Sequence, residues 1–144
     1  MQELSNQTVL IVGGGSGIGL GIGEAFAREG AKVVLSSRTQ TSLDAAKALP
    51  EVGSSFLTYA ADATDREALA KLVKWAETEA GQLDVVVYSA GMNVPERLLE
   101  NHDPTAFDQV LNVNTTGFFN VLQATLPGMR QRGAGLVLNI VSLA

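Results

Sequence analysis

The chain has 144 residues, 46% of them apolar and 17% charged, which suits one domain with a sizeable core and is unlike a disordered tail. A formal net charge of −5 excludes a general nucleic-acid binder, because nothing would neutralise phosphates broadly. The absence of cysteine excludes disulfides and thiolate metal sites, and no metal site is expected.

The opening MQELSNQ has neither a basic start nor a long apolar run, and no segment reaches about 18 uninterrupted apolar residues. A secretory signal and a membrane span are therefore not expected, and a soluble cytoplasmic protein is the default. Val9, Leu10, Ile11 and Val12 read as a first strand, which breaks into glycines at Gly13, Gly14, Gly15, Gly17 and Gly19. The chain then turns helical through Ala25 and Phe26 to Arg28. Strand, glycine turn and helix together offer free N–H groups and the positive end of a helix dipole to a phosphate. Glycine is needed because the turn is tight and a pyrophosphate must approach bare backbone. Neither G-x-G-x-x-G nor G-K-[ST] fits here; the spacing is Gly13-xxx-Gly17-x-Gly19, with Ser16 and Ile18 between. Gly21 and Gly23, inside the helix, each cost about 1 kcal/mol against alanine, and close packing on a sheet is the expected reason.

Strands and helices alternate from there. Gly30 reads as a helix C-cap, residues 31–37 as a second strand, and 43–49 as a helix stopped by Pro50. A third strand over 56–60 leads to Thr64-Asp65-Arg66-Glu67, read as a capping box. The helix it opens carries Leu69, Leu72, Val73 and Ala76 on one face and ends at Gly81, with Trp75 off that seam as a packing or surface residue. Residues 84–88 form a fourth strand whose unbroken valines suit a parallel sheet covered on both faces. Asp103-Pro104 starts the longest helix, with an apolar face of Phe107, Val110, Leu111, Phe118, Val121 and Leu122. Pro127 is expected to interrupt it, Gly133 to Gly135 to end it, and 136–141 to be strand five. The pattern specifies an α/β fold, a Rossmann-like doubly wound parallel sheet of order 3-2-1-4-5 in a single domain over 1–144. Its switch point lies between strands one and four, where the glycine turn opens.

A dinucleotide at that crevice would have its adenosine ribose read by the end of strand two. The residues there are Ser36, Ser37 and Arg38: no acid to hold ribose hydroxyls, and a guanidinium suited to phosphate.

The glycine turn resembles the T-G-x-x-x-G-I-G motif of the short-chain dehydrogenase/reductase family, with Val12 in place of the threonine. The resemblance runs through the chain. An Asp often stands in the family where Ser37 is, and members with a basic residue at the position of Arg38 tend to use NADP(H), so NADP(H) is favoured over NAD(H). Asp62, followed by Ala63, falls where the family has an Asp that meets the adenine. Tyr88-Ser89-Ala90-Gly91 stands where the family has N-N-A-G, keeping Ala90 and Gly91 and replacing both asparagines. Asn114 matches the family's helix asparagine, which implies that it holds a water of a proton relay. Ser142, in Asn139-Ile140-Val141-Ser142, matches the active-site serine that hydrogen-bonds the substrate oxygen. The implied cofactor contacts are Gly13, Ser16, Gly17, Ile18, Gly19, Ser37, Arg38, Asp62, Ala63, Ser89, Ala90 and Gly91, and the catalytic residues are Asn114 and Ser142.

The family's general acid/base is the Tyr of Y-x-x-x-K, shortly after the serine strand. Tyr59 and Tyr88 are the only tyrosines and neither has a lysine four residues on, while His102, the only histidine, reads as a loop residue. The resemblance therefore implies the cofactor half of an enzyme, cut before that motif and without the family's C-terminal strands and helices. Such a half is expected to be inactive alone. The implied reaction moves a hydride between NADP(H) and a small-molecule carbonyl or alcohol substrate, in a protein that is a homo-oligomer at full length. Strand five would keep an uncovered edge and the long helix no neighbour, both association liabilities. The competing readings are a non-catalytic NAD(P)-binding or sensing protein and a truncated product without activity.

Overall fold

In the computed structural model, which describes residues 4–96 and 98–142, five parallel strands form one sheet in the order β3-β2-β1-β4-β5. These are β1 (Thr8–Val12), β2 (Lys32–Ser37), β3 (Leu57–Ala60), β4 (Val85–Tyr88) and β5 (Leu136–Asn139). Between them run α1 (Gly17–Arg28), α2 (Gln40–Lys47), α3 (Arg66–Ala80), α4 (Pro104–Leu111) and α5 (Gly117–Arg132). The expected fold class and strand order are those observed.

β1 is the centre of the sheet, and all five of its residues are buried. Side chains alternate between faces, so each strand feeds two cores. Leu10, Val34 and Val86 pack with Leu69, Leu72 and Ala76 of α3 and Val121 of α5. On the other face, Val9, Ile11, Val33, Leu35 and Val87 pack with Leu43 and Ala46 of α2 and with Phe56. Each such aliphatic residue contributes about 1.5–3 kcal/mol on burial, which is why the valine runs stay strand despite having no polar alternation. The register places Val12 beside both Ser36 and Tyr88. The carboxyl ends of β1, β2 and β4 therefore finish together, and the crevice forms above them.

Several boundaries differ from the sequence reading. β3 begins at Leu57, and β5 stops at Asn139, opposite the end of β4 at Tyr88, where the pairing partner runs out. α2 begins at Gln40, three residues early, because its first turn is polar and has no apolar period to show it. The N-cap of α3 is Asp65 and not Thr64: the Asp65 carboxylate accepts from the Glu67 and Ala68 N–H groups at 2.9 and 3.0 Å. Thr64 donates its hydroxyl to Asp62 at 2.8 Å, and Glu67 pairs with Lys71 at 2.8 Å. Gly30, with φ +86°, follows the C-cap of α1 at Glu29. A side chain at Gly23 would come within 2.9 Å of Leu35, as close packing requires, but Gly21 faces open space and that reason does not apply to it.

The long helix is not broken at Pro127. α5 runs through it to Gly133, whose φ of +68° ends the helix, and the discontinuity lies at Asn112–Thr116, a π turn joining α4 to α5. Trp75 packs against Tyr59 with ring centroids 5.1 Å apart, on the β3 side of the sheet. Among the described residues, Phe107, Leu111 and Phe119 on α4 and α5 and Leu136 on β5 are exposed. No helix among them is long and apolar enough to cross a membrane.

Candidate cofactor and active site

The glycine turn is built in two parts. Gly13 and Gly14 donate their N–H groups to the Ser36 carbonyl at 2.8 and 2.9 Å, tying the turn to β2. Gly13 has φ +89° and no room for a Cβ against the backbone of Ser89 and Ala90, while a Cβ at Gly19 would strike the Gly13 carbonyl. These two glycines close the turn on itself. Gly17, with φ +54°, has nothing within 4 Å of a built Cβ and opens outward. Ser16 is the N-cap of α1 but makes no side-chain cap hydrogen bond, and the first turn contains no acid. The orphan N–H groups and the positive helix end remain available to an anion.

A cleft of about 440 Å³ runs along this turn. Gly13, Ser16, Gly17 and Ile18 form its floor, Ser37 and Arg38 one end, and Asp62 with Ala63 a side wall. Ser89, Ala90 and Gly91 line the opposite side. Of the expected cofactor contacts, Gly19 alone is not in the lining, since it packs beneath Gly13. A Cβ at Gly91 would meet nothing closer than Asn114 at 3.5 Å, so the protein itself does not demand glycine there.

The Arg38 end holds residues that the sequence reading missed. Thr39 and Ser42 line the cleft beside Arg38. Ser37 and Ser42 hydroxyls lie 2.5 Å apart, and Thr39 donates its hydroxyl to Ser42 at 3.1 Å. Gly15 packs against them: a Cβ there would lie 2.5 Å from the Ser42 hydroxyl oxygen and 2.9 Å from the Ser37 Cβ, so the two serine side chains would have to shift. Arg38 is exposed and forms no ion pair with a described residue. The run Thr39-Gln40-Thr41-Ser42 was the available signal, visible once α2 is seen to start at Gln40. Asn120 was missed as well: buried on α5, it donates to the Ala63 carbonyl at 3.1 Å and accepts from Arg66 at 3.0 Å, bracing the side wall.

A second cavity of about 670 Å³ adjoins the first and shares Ile18, Ala90, Gly91 and Ile140 with it. Asn114 and Ser142 both line it, with Asn139, Met92 and Tyr88. The Asn114 amide clamps one backbone unit: its Oδ1 accepts from the Met92 N–H at 2.8 Å and its Nδ2 donates to the Met92 carbonyl at 2.9 Å. Two of the four hydrogen bonds an asparagine can make are thereby used. Tyr59 on β3 and His102, which lies edge-on to Phe107 at 6.5 Å in a loop, line neither cavity.

Tyr88 is buried and donates its hydroxyl to the Val113 carbonyl. Burial, with the Asp62 carboxylate adding to it, pushes its phenol from 10.0 up to about 12. The sign follows from linkage: a raised folded pKa gives stability that is complete below the unfolded value and is lost as pH rises through the folded one. Denaturant titrations between pH 10 and 12 should show this loss, and Tyr88→Phe should remove its own part of the slope.

Sequence comparison matches residues 7–144 to the family described as short chain dehydrogenase. An uncharacterized oxidoreductase of Staphylococcus saprophyticus is 32% identical over 146 aligned residues, covering all of this chain and 62% of that protein. The crystal structure of levodione reductase superposes with a TM-score of 0.90 at 32% identity, over 97% of this chain and 55% of that one. ElxO with NADP bound gives a TM-score of 0.88 at 27% identity, over 95% and 56% respectively. The chain thus spans little more than half to three-fifths of the relatives' lengths. As the family match begins one residue before β1 and takes in both cavities, the chain belongs to the short-chain dehydrogenases, a family of oxidoreductases.

Proposed function

We propose that these residues are the cofactor-binding part of an NADP(H)-dependent reductase or dehydrogenase acting on a small carbonyl or alcohol compound. The observation that carries this reading is the end of β2, where a guanidinium with no ion-pair partner among the described residues and three hydroxyl groups line the cleft and no carboxylate stands among them. The cleft fits a dinucleotide phosphate. The Ser16 side chain makes no cap hydrogen bond to α1, Gly17 opens toward the ligand space, and Arg38 has no ion-pair partner among the described residues. When bound, the cofactor supplies or accepts a hydride at its nicotinamide ring.

The chain's own residues do the rest. The α1 N-terminus takes the pyrophosphate, Arg38 with Ser37 and Thr39 the 2′-phosphate, and Asp62 with Ala63 the adenine end. Ser89 to Gly91 pass their backbone beside the dinucleotide. Ser142 hydrogen-bonds the substrate oxygen, and Asn114 orients a water with the half of its amide that Met92 leaves over. Neither described tyrosine is placed to give the substrate oxygen its proton: the Tyr88 hydroxyl is given to Val113, and Tyr59 lies outside both cavities. The domain assignment, a cytoplasmic location and self-association of the full-length protein belong to the same reading, the last supported by the exposed Phe107, Leu111 and Phe119. Replacement of both N-N-A-G asparagines favours the second reading, a non-catalytic NAD(P)-binding protein.

Titration with NADPH and NADH by fluorescence tests the cofactor reading. NADPH should bind the more tightly, and Arg38→Asp should weaken it about ten- to a hundredfold, as expected for a charged contact of roughly 1.5–3 kcal/mol. Affinity for NADH should not fall. Equal affinities in the parent chain, or unchanged selectivity in Arg38→Asp, would rule out the 2′-phosphate site.

A further inference from the structure

The π turn between α4 and α5 has a donor pattern that identifies what holds it. In an α-helix the Gly117 N–H would bond the Val113 carbonyl, four residues back. Here it bonds the Asn112 carbonyl, five back. That shift frees the Val113 carbonyl, and the group that takes it is the Tyr88 hydroxyl, arriving from the end of β4. Gly117 is what lets the hydroxyl in, since a Cβ there would collide with it. The phenol ring is held from its other side by Phe118, with centroids 5.5 Å apart.

We propose that Tyr88 is the positioning residue that sets the π register of the α4–α5 junction and thereby seats Asn114 against Met92. The inference deepens the reading of Asn114 as a site residue and rests on it. Without the hydroxyl, the Gly117 N–H can return to Val113 and the junction to α-helix. Removing the extra residue of a π turn rotates the preceding helix by about 100° relative to the following one. Asn114, inside the turn, would then leave the Met92 backbone, and the edge of both cavities beside Gly91 would lose its brace.

The test uses nitrogen-15-labelled protein and needs no cofactor. Tyr88→Phe keeps the ring and removes only the hydroxyl. It should abolish the cross-peaks between the Asn114 side-chain amide and Met92, and speed Met92 amide exchange roughly five- to tenfold, while β1 and β4 amides keep their shifts. Gly117→Ala, which drives the hydroxyl away sterically, should give the same signature, and the double variant should add nothing further. A folded Tyr88→Phe protein with the Asn114–Met92 cross-peaks intact would overturn the proposal. So would additive effects of the two substitutions, or loss of the whole fold on removing the hydroxyl, which would make it a determinant of the sheet and not of register. Failure of the parent chain to bind NADPH would overturn the cofactor reading instead, and the two failures are read in separate experiments.

Discussion

Oxidation of NADPH by residues 1–144 in the presence of simple ketones should stay at background even when the cofactor is bound. Reduction of a carbonyl places charge on its oxygen, and a positioned acid contributes about 10²–10⁴-fold by meeting that charge with a proton. Ser142 can donate a hydrogen bond in the second cavity, but a serine hydroxyl is too weak an acid to replace a phenol activated by lysine. Tyr88 is nearer than any other phenol to that cavity, and its proton is engaged with Val113 while burial holds its pKa up at about 12. A polypeptide in which the same residues are followed by a Tyr-x-x-x-Lys segment should turn over. The two are compared at equal cofactor occupancy, and the expected difference is at least the hundredfold at the lower end of that range. Robust turnover by residues 1–144, abolished in Ser142→Ala, would place the acid within this chain and refute the assignment.

The second large effect concerns the two halves of the glycine turn. Gly17→Val and Gly19→Val should both abolish measurable NADPH binding, but for different reasons. At position 17 the neighbourhood is open, so the chain should fold; the φ of +54° costs a β-branched residue on the order of 1–3 kcal/mol, and the side chain would occupy the space proposed for the pyrophosphate. At position 19 the Cβ itself meets the Gly13 carbonyl, so the turn must shift away from β2 and stability falls with binding. Alanine separates the two: Gly19→Ala should already carry most of the loss, whereas Gly17→Ala should keep a folded turn at a cost of about 1–2 kcal/mol for the left-handed backbone. Calorimetry for stability and fluorescence for binding measure the pair. Unchanged binding in both valine variants would move the phosphate elsewhere.

What was legible in the sequence is what depends on neighbours along the chain. Unbroken valines in β4, the glycine spacing after β1 and the alternation of strand and helix fix a parallel sheet and its switch point, because period and turn chemistry are local. Arg38 follows from that placement, since the carboxyl ends of the strands must share one edge, whereas Ser16, Asp62 and Gly91 were legible only through the resemblance to the family. Long-range contacts decided the remainder. The α3 cap is a local exception, in which Asp65 caps the helix while the Thr64 hydroxyl bonds Asp62, two side-chain choices that composition alone does not rank. Thr39 and Ser42 joined the cleft only once α2 was laid beside Gly15. Nothing local distinguishes Asn112–Thr116 from ordinary helix. Its π register rests on a tyrosine at the end of β4, a glycine at position 117 and an asparagine amide on Met92, groups that only the folded sheet brings within hydrogen-bonding distance.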